Sequence, residues 1–191
     1  MVGKNNSREN GSTLVQAAIT VAIIGVVVAF ATPKIASGLR EHRLSIASRQ
    51  VADLIQRAKT QAISDNRTSS IVVDTAGQRM GLAVYDDAGA VSRIDYVPLP
   101  SDITFALPPN VSAPLAGAPT AKAVSFPAYD NSTVVFKQDF TSRGFPSVAA
   151  PGTINAVYLS NGRSYRGVTM SGVGGLRVWT WEDTKWVPIT K

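Results

Sequence analysis

From Leu14 to Ala31 the chain runs for 18 residues without a charge, interrupted only by Gln16, Thr20 and Gly25. A helix of that length spans roughly 27 Å, about the hydrocarbon thickness of a bilayer. It reads as the buried helix of a soluble domain, as a secretory signal or as a retained membrane span. A helix half-buried in a soluble core shows a polar stripe. Here apolar residues, many of them β-branched (Val21, Ile23, Ile24 and Val26 to Val28), fall on nearly every side. A secretory signal has a shorter apolar centre and a small-residue cleavage site after it. This chain instead continues past Pro33 into a second helical pattern.

In that second pattern Ile35, Leu39, Ile46, Val51, Leu54, Ile55, Ala58 and Ala62 form a stripe at mostly three- and four-residue steps, with Arg, Gln, Asp, Lys and Ser between them. The sequence therefore predicts one helix of about 50 residues that starts as a membrane span and ends as the spine of a soluble domain. Pro33 marks the junction. It has no amide to bond the Ala29 carbonyl, so a kink or local loosening is expected there. Lys4 and Arg8 on one side and Lys34, Arg40 and Arg43 on the other leave the orientation open.

After the helix, short β-rich runs alternate with turn signals. SSIVVD, MGLAVY, SRIDYVPL and DITFAL are separated by TAGQ, DDAG and LPS, the spacing of an antiparallel meander. Residues 108–128 carry five prolines and much alanine and read as a surface loop between two groups of strands. The second group is STVVFKQ, INAVYLS, RSYRGVTMS, LRVWTW and KWVPI, joined by Asn161-Gly162, SGVGG and EDTK. Asn-Gly between alternating strands is a strong hairpin signal. The class is α+β: a long helix packed on one or two antiparallel sheets.

The chemistry available to the chain is narrow. No cysteine is present, which removes disulfides, thiolate metal sites and thiol nucleophiles. The single histidine, His42, stands in a polar stretch and reads as a surface residue. There is no G-x-S-x-G elbow and no phosphate loop, and SGVGG is a turn between strands. Asp86-Asp87 offers two carboxylates where a calcium cage needs six to eight oxygens, so a solvated hairpin turn is expected and no metal or cofactor site is assigned. Trp179 and Trp181 share one face of a strand, where a packing role is expected. The net charge of +6 is compatible with nucleic acid or an anionic membrane surface.

A short charged leader ending in Gly11, then Ser-Thr-Leu-Val-Gln, an apolar run and a proline 22 residues after the glycine resemble the signal of type IV pilins and type II secretion pseudopilins. DLIQRAKTQAISDNR followed by a strand, VVFKQDFTSRG, a strand ending in NGR and a closing GLRV strand resemble the minor pseudopilin H and FimT branch. The resemblance implies a pilin-like fold and no enzymatic activity. It divides the chain into a leader, 1–11, a membrane and polymerisation helix, 12–33, an amphipathic spine, 34–67, and a β domain, 68–191. A prepilin peptidase would cut between Gly11 and Ser12, and the new amine of Ser12 would be methylated. The chain would span the bacterial inner membrane once, hold its globular part in the periplasm and meet other subunits through Gln16 and Pro33. Its expected role is a minor pseudopilin in the tip of a short fibre that aids protein secretion, with secreted cargo as a further partner. The resemblance also admits a minor type IV pilin that primes pilus assembly or binds DNA for uptake, with Arg163, Arg166, Arg177 and Lys185 as the candidate contacts. The resemblance usually carries Phe first and Glu fifth in the mature chain, where this chain has Ser12 and Gln16. Gln16 accepts a hydrogen bond without the ionic part, which points to a low-copy subunit.

Overall fold

Helix α1 runs from Glu9 to Ser64, 56 residues. The computed structural model describes residues 9–86, 88–109, 111, 122–147, 154–182 and 184–189, with the side chains of 9–13 and 30–33 excepted. Residues 1–8, Asp87 and most of the 108–128 loop lie outside the described residues. The chain divides into two compact units, Met1–Arg40 and Glu41–Lys191. Helical backbone continues through Pro33, where the sequence predicts a kink or loosening. Loss of one N–H removes a single ladder bond, and the turns on either side keep theirs.

The helix ends in a Schellman motif. Asn66 takes a left-handed φ of 50°, its N–H bonds the Ile63 carbonyl at 3.3 Å, and Arg67 N–H reaches back to the Ala62 carbonyl at 3.2 Å. Within the second unit its buried face is Leu44, Ala47, Ser48, Val51, Leu54, Ile55, Ala58 and Ala62. The predicted stripe therefore starts later than expected. Ile35, Leu39 and Ile46 are exposed, and Leu44 and Ala47 take the core side instead.

Among the described residues nine strands follow: β1 Ser69–Asp74, β2 Arg79–Tyr85, β3 Val91–Pro98, β4 Thr104–Phe105, β5 Val135–Phe140, β6 Ile154–Ser160, β7 Tyr165–Ser171, β8 Leu176–Glu182 and β9 Lys185–Pro188. They form two antiparallel sheets, in the orders β3-β2-β1-β5 and β4-β6-β7-β8-β9. The sequence grouping needs correcting at two strands. DITFAL contributes only the two-residue β4, which leaves the first meander to pair with β6; STVVFKQ supplies β5, which returns to pair with β1. Alternation sets which face a strand buries, not which neighbour it takes, and both exchanged strands sit at sheet edges.

One core draws on the helix and both sheets. Ile71, Val73, Met80, Phe136 and Phe140 come from the first sheet, and Val157, Leu159, Val168 and Met170 from the second. A buried hydrogen bond from Asn155 Nδ2 to Gln138 Oε1, 2.8 Å, ties β6 to β5 across the two sheets. Ser70 of β1 hydrogen-bonds both Tyr85 of β2 and Asp139 of β5, so the first sheet is also linked through side chains.

The β1–β2 turn is closed by Asp74, which accepts from Gly77 N–H and from Arg79 Nε, each at 2.8 Å. Burial acts to raise the pKa of Asp74, but these donors outweigh it and hold the carboxyl below its ordinary 3.8. Gly81, in the middle of β2, is needed for a close approach. A Cβ there would collide with the Asp95 carbonyl oxygen and stand 2.9 Å from Tyr96 Cα, both backbone atoms of β3. Gly81→Ala is therefore expected to push β3 off β2 at a cost of about 1–3 kcal/mol. Thermal unfolding of the detergent-solubilised full chain checks this, and an unchanged midpoint would contradict it.

Candidate functional site

The first candidate is the apolar segment of α1. Leu14, Val15, Ile19, Val21, Ile23, Ile24, Val26, Val27 and Val28 are all exposed, more than half of each surface lying open, and they fall on every side of the helix. Two hydroxyls along the helix bond its own backbone. Thr20 Oγ1 donates to the Gln16 carbonyl at 2.8 Å, and further on Ser37 Oγ donates to the Lys34 carbonyl at 2.9 Å. Burying one such apolar side chain is worth about 1.5–3 kcal/mol. Over nine of them that is on the order of the whole net stability of a domain, about 5–15 kcal/mol, or more. A surface of this kind is stable only when lipid or other helices cover it.

The backbone at Gly11 and Ser12 is helical and lies within the first turn, where helices fray. Gln16 is exposed on the same helix. At Gly25 an added Cβ would meet nothing within 4 Å, so that side of the helix is open. Pro33 is helical in its backbone; its side chain is outside the described residues.

The second candidate is the basic set in the last strands, and the structure disperses it. Arg163 sits in the β6–β7 turn, where Asn161 Oδ1 accepts from the N–H groups of Arg163 and Ser164 at 3.0 and 2.8 Å. Arg166 faces the helix: its Nη2 lies 2.9 Å from Glu41 Oε1, its Nη1 donates to Ser45 Oγ at 3.2 Å, and 15% of its side chain is exposed. Arg177 pairs with Thr169 in the β7–β8 ladder, so it shares the opposite sheet face with Trp179. Lys185 opens β9 and is exposed. Sequence reasoning missed the Glu41–Arg166 pair because its partners are 125 residues apart and no periodicity joins them.

The opposite face of the second sheet carries an aromatic cluster. Trp186 lies 5.3 Å from the Tyr158 ring and 5.1 Å from Trp181, and Trp179 Nε1 donates to Thr169 Oγ1 at 2.8 Å. The tryptophans thus pack, as their spacing predicts. Gly167 leaves the room, since a Cβ there would be 3.3 Å from Tyr158 Cδ1 and 3.4 Å from Trp186 Cζ3. His42 is exposed on the helix, and Asp86 Oδ1 accepts from Ala90 N–H at 2.8 Å within a hairpin turn. Among the described residues no three His, Cys, Asp or Glu side chains converge.

Two crystal structures of the type IV minor pilin FimU of Pseudomonas aeruginosa are similar to this chain, each at 18% sequence identity. One covers 77% of this chain and 94% of FimU with a TM-score of 0.47; the other covers 75% and 97% with a TM-score of 0.45. No family model matches the sequence, and no curated protein does.

Tyr158 is fully buried, and its hydroxyl has no hydrogen-bond partner among the described residues. Burial pushes its pKa from 10.0 up to about 12. Between those values the unfolded chain loses the proton first, so the stability this group contributes is present below pH 10 and lost as pH rises toward 12. Tyr158→Phe should remove that alkaline sensitivity and leave neutral-pH stability equal or higher, because an orphaned polar group goes with it. Denaturation midpoints of both forms at neutral pH and at pH 10–12 check this; a Phe variant that is less stable at neutral pH would contradict it.

Proposed function

We propose that this chain is a membrane-anchored structural subunit of the type IV pilin kind, and more narrowly a minor pseudopilin of a type II secretion-like machine. The observation that carries the proposal is the helix from Leu14 to Val28, apolar and exposed on all sides, joined to a soluble unit that has a complete core of its own. Such a helix serves first as an anchor in lipid and then as the packing element of a fibre, where neighbouring helices replace the lipid. Gly25, open to close approach, suits the second setting. The work is assembly, and no catalytic role is assigned.

In this reading a prepilin peptidase removes residues 1–11, Ser12 is N-methylated, the anchor sits in the inner membrane and the globular unit is periplasmic. Gln16 meets the neighbouring subunit by a hydrogen bond without an ionic component, which suits a subunit placed once or a few times, at a tip, rather than repeated along a fibre. The dispersal of Arg163, Arg166 and Arg177 over a turn and two sheet faces is the reason the proposal does not extend to DNA. A duplex-binding face gathers its cations along one surface.

The intact mass of membrane-extracted protein should equal residues 12–191 plus one methyl group. Retention of Met1 to Gly11, or a cut after Ala31, would overturn the reading. A second expectation concerns copy number. Quantitative mass spectrometry of sheared fibres should find the wild-type chain a small minority, and Gln16→Glu should enter the fibre as well or better. Dominance of the wild-type chain in those fibres would contradict the minor role.

A further inference from the structure

Within the second unit a groove of about 560 Å³ lies between α1 and the end of the second sheet. Strand β9 pairs with β8 from Trp179 to Glu182, and one further bond runs from Ile189 N–H to the Val178 carbonyl at 2.9 Å; Leu176 and Val178 form an apolar floor beside Pro188 and Ile189. Ile189 is 41% exposed. The helix supplies the other wall through Ser48 and Arg49, and Arg166 and Arg177 complete the lining, three arginines in all. No carboxylate lines this groove. Arg49 is exposed and has no ion pair among the described residues. Arg166 is fixed by Glu41 and Ser45, yet its Nε is buried with no acceptor among the described residues.

We infer that this groove receives a segment of a partner protein in which an Asp or Glu stands within one helical turn of Leu, Ile, Val or Phe. The apolar side chain would cover Val178 and Ile189, and the carboxylate would face Arg49 at the rim. Charge decides against the other occupants. A second copy of this chain brings a net charge of +6 to a groove whose lining charges are all cationic. A polyanion draws little from a floor that is apolar, and of the three arginines in the lining Arg166 is already neutralised by Glu41. A lipid surface engages apolar groups that protrude, whereas Leu176 and Val178 are half-buried and only Pro188 and Ile189 are exposed. The inference concerns the second unit alone and stands whether or not the chain is processed at Gly11.

The test uses the full chain in nanodiscs of zwitterionic lipid, panned against a random-peptide display library. Enriched sequences should combine an acidic and an apolar residue within about four positions, one helical turn. A synthetic peptide of the commonest type should bind about ten-fold more weakly to Arg49→Glu and to Ile189→Lys, as expected for losing one charge-assisted or apolar contact. The same peptide with Lys in place of its acid should recover affinity on Arg49→Glu. Both substitutions are at exposed positions, and an unchanged circular dichroism spectrum shows that the variants fold. No enrichment, enriched peptides without acids, or equal binding to the variants would overturn the inference. So would Arg49-dependent binding to phosphatidylglycerol vesicles without a peptide preference, or self-association that the same substitutions abolish. Intact mass, which tests the proposed function, is unaffected by any of these results.

Discussion

The second unit depends on one face of α1 that is built from small and branched side chains. Ala47, Ala58 and Ala62 are fully buried or nearly so, and Leu44, Val51, Leu54 and Ile55 fill the core beside them. Side chains of both sheets meet that face in a single cluster. The loops at the helix end are fitted just as tightly. A Cβ on Gly144 would stand 2.7 Å from Ile63 Cδ1, and Lys59 Nζ donates to the Gly174 carbonyl at 3.3 Å. Gly144 and Gly174 both hold a φ of 76°, so two separate loops combine left-handed backbone with close contact to the helix.

The two sheets are interlocked rather than merely stacked. The chain leaves the first sheet after β3 to lay down β4 on the second, then returns to add β5 to the first before completing β6 to β9. Each crossing therefore couples the sheets, and the buried Gln138–Asn155 bond joins the two strands that flank the last crossing. Removing either partner would leave a buried amide group without its bond, which costs more than the bond itself contributes. The outer edges show the opposite treatment. β3 ends in Pro98 and β9 in Pro188, and each carries exposed charge, Arg93 and Asp95 on one and Lys185 on the other, so neither edge offers a clean template for another strand.

Much of this was legible in the sequence, for physical reasons that also mark where reading stops. The helix, the nine β segments and the Asn161-Gly162 hairpin follow from local periodicity and turn chemistry. The onset of the buried stripe did not. Ile35, Leu39 and Leu44 are equally apolar, and nothing local in the sequence tells that Leu44 enters the core of the second unit. Sheet membership of β4 and β5 was also hidden, because a period of two fixes a face and says nothing about partners many residues away. The apolar segment of α1 was readable as an apolar helix, since its all-round hydrophobicity is a property of the sequence itself. The basic candidates were readable as residues but not as a surface, for alternation assigns Arg166 a face without revealing that Glu41 occupies it.

That last point bears on how the net charge should be understood. The +6 total is a count, and a partner meets only the charge that remains unpaired on one surface. Arg79 is absorbed by Asp74 at 2.8 Å and lies 4.1 Å over the Tyr96 ring; Arg166 is absorbed by Glu41 at 2.9 Å. Both cations act inside the fold, the first closing a turn and the second holding β7 to the helix. What remains outside is distributed among turns, strand ends and the exposed side of α1, too scattered to act as one field. The apolar segment is different, because its nine large side chains follow one another along one helix and are all exposed. The free energy of covering that segment exceeds anything the scattered charges can supply, so where the chain resides is set by its apolar helix, and charge is left to choose among partners once it is there.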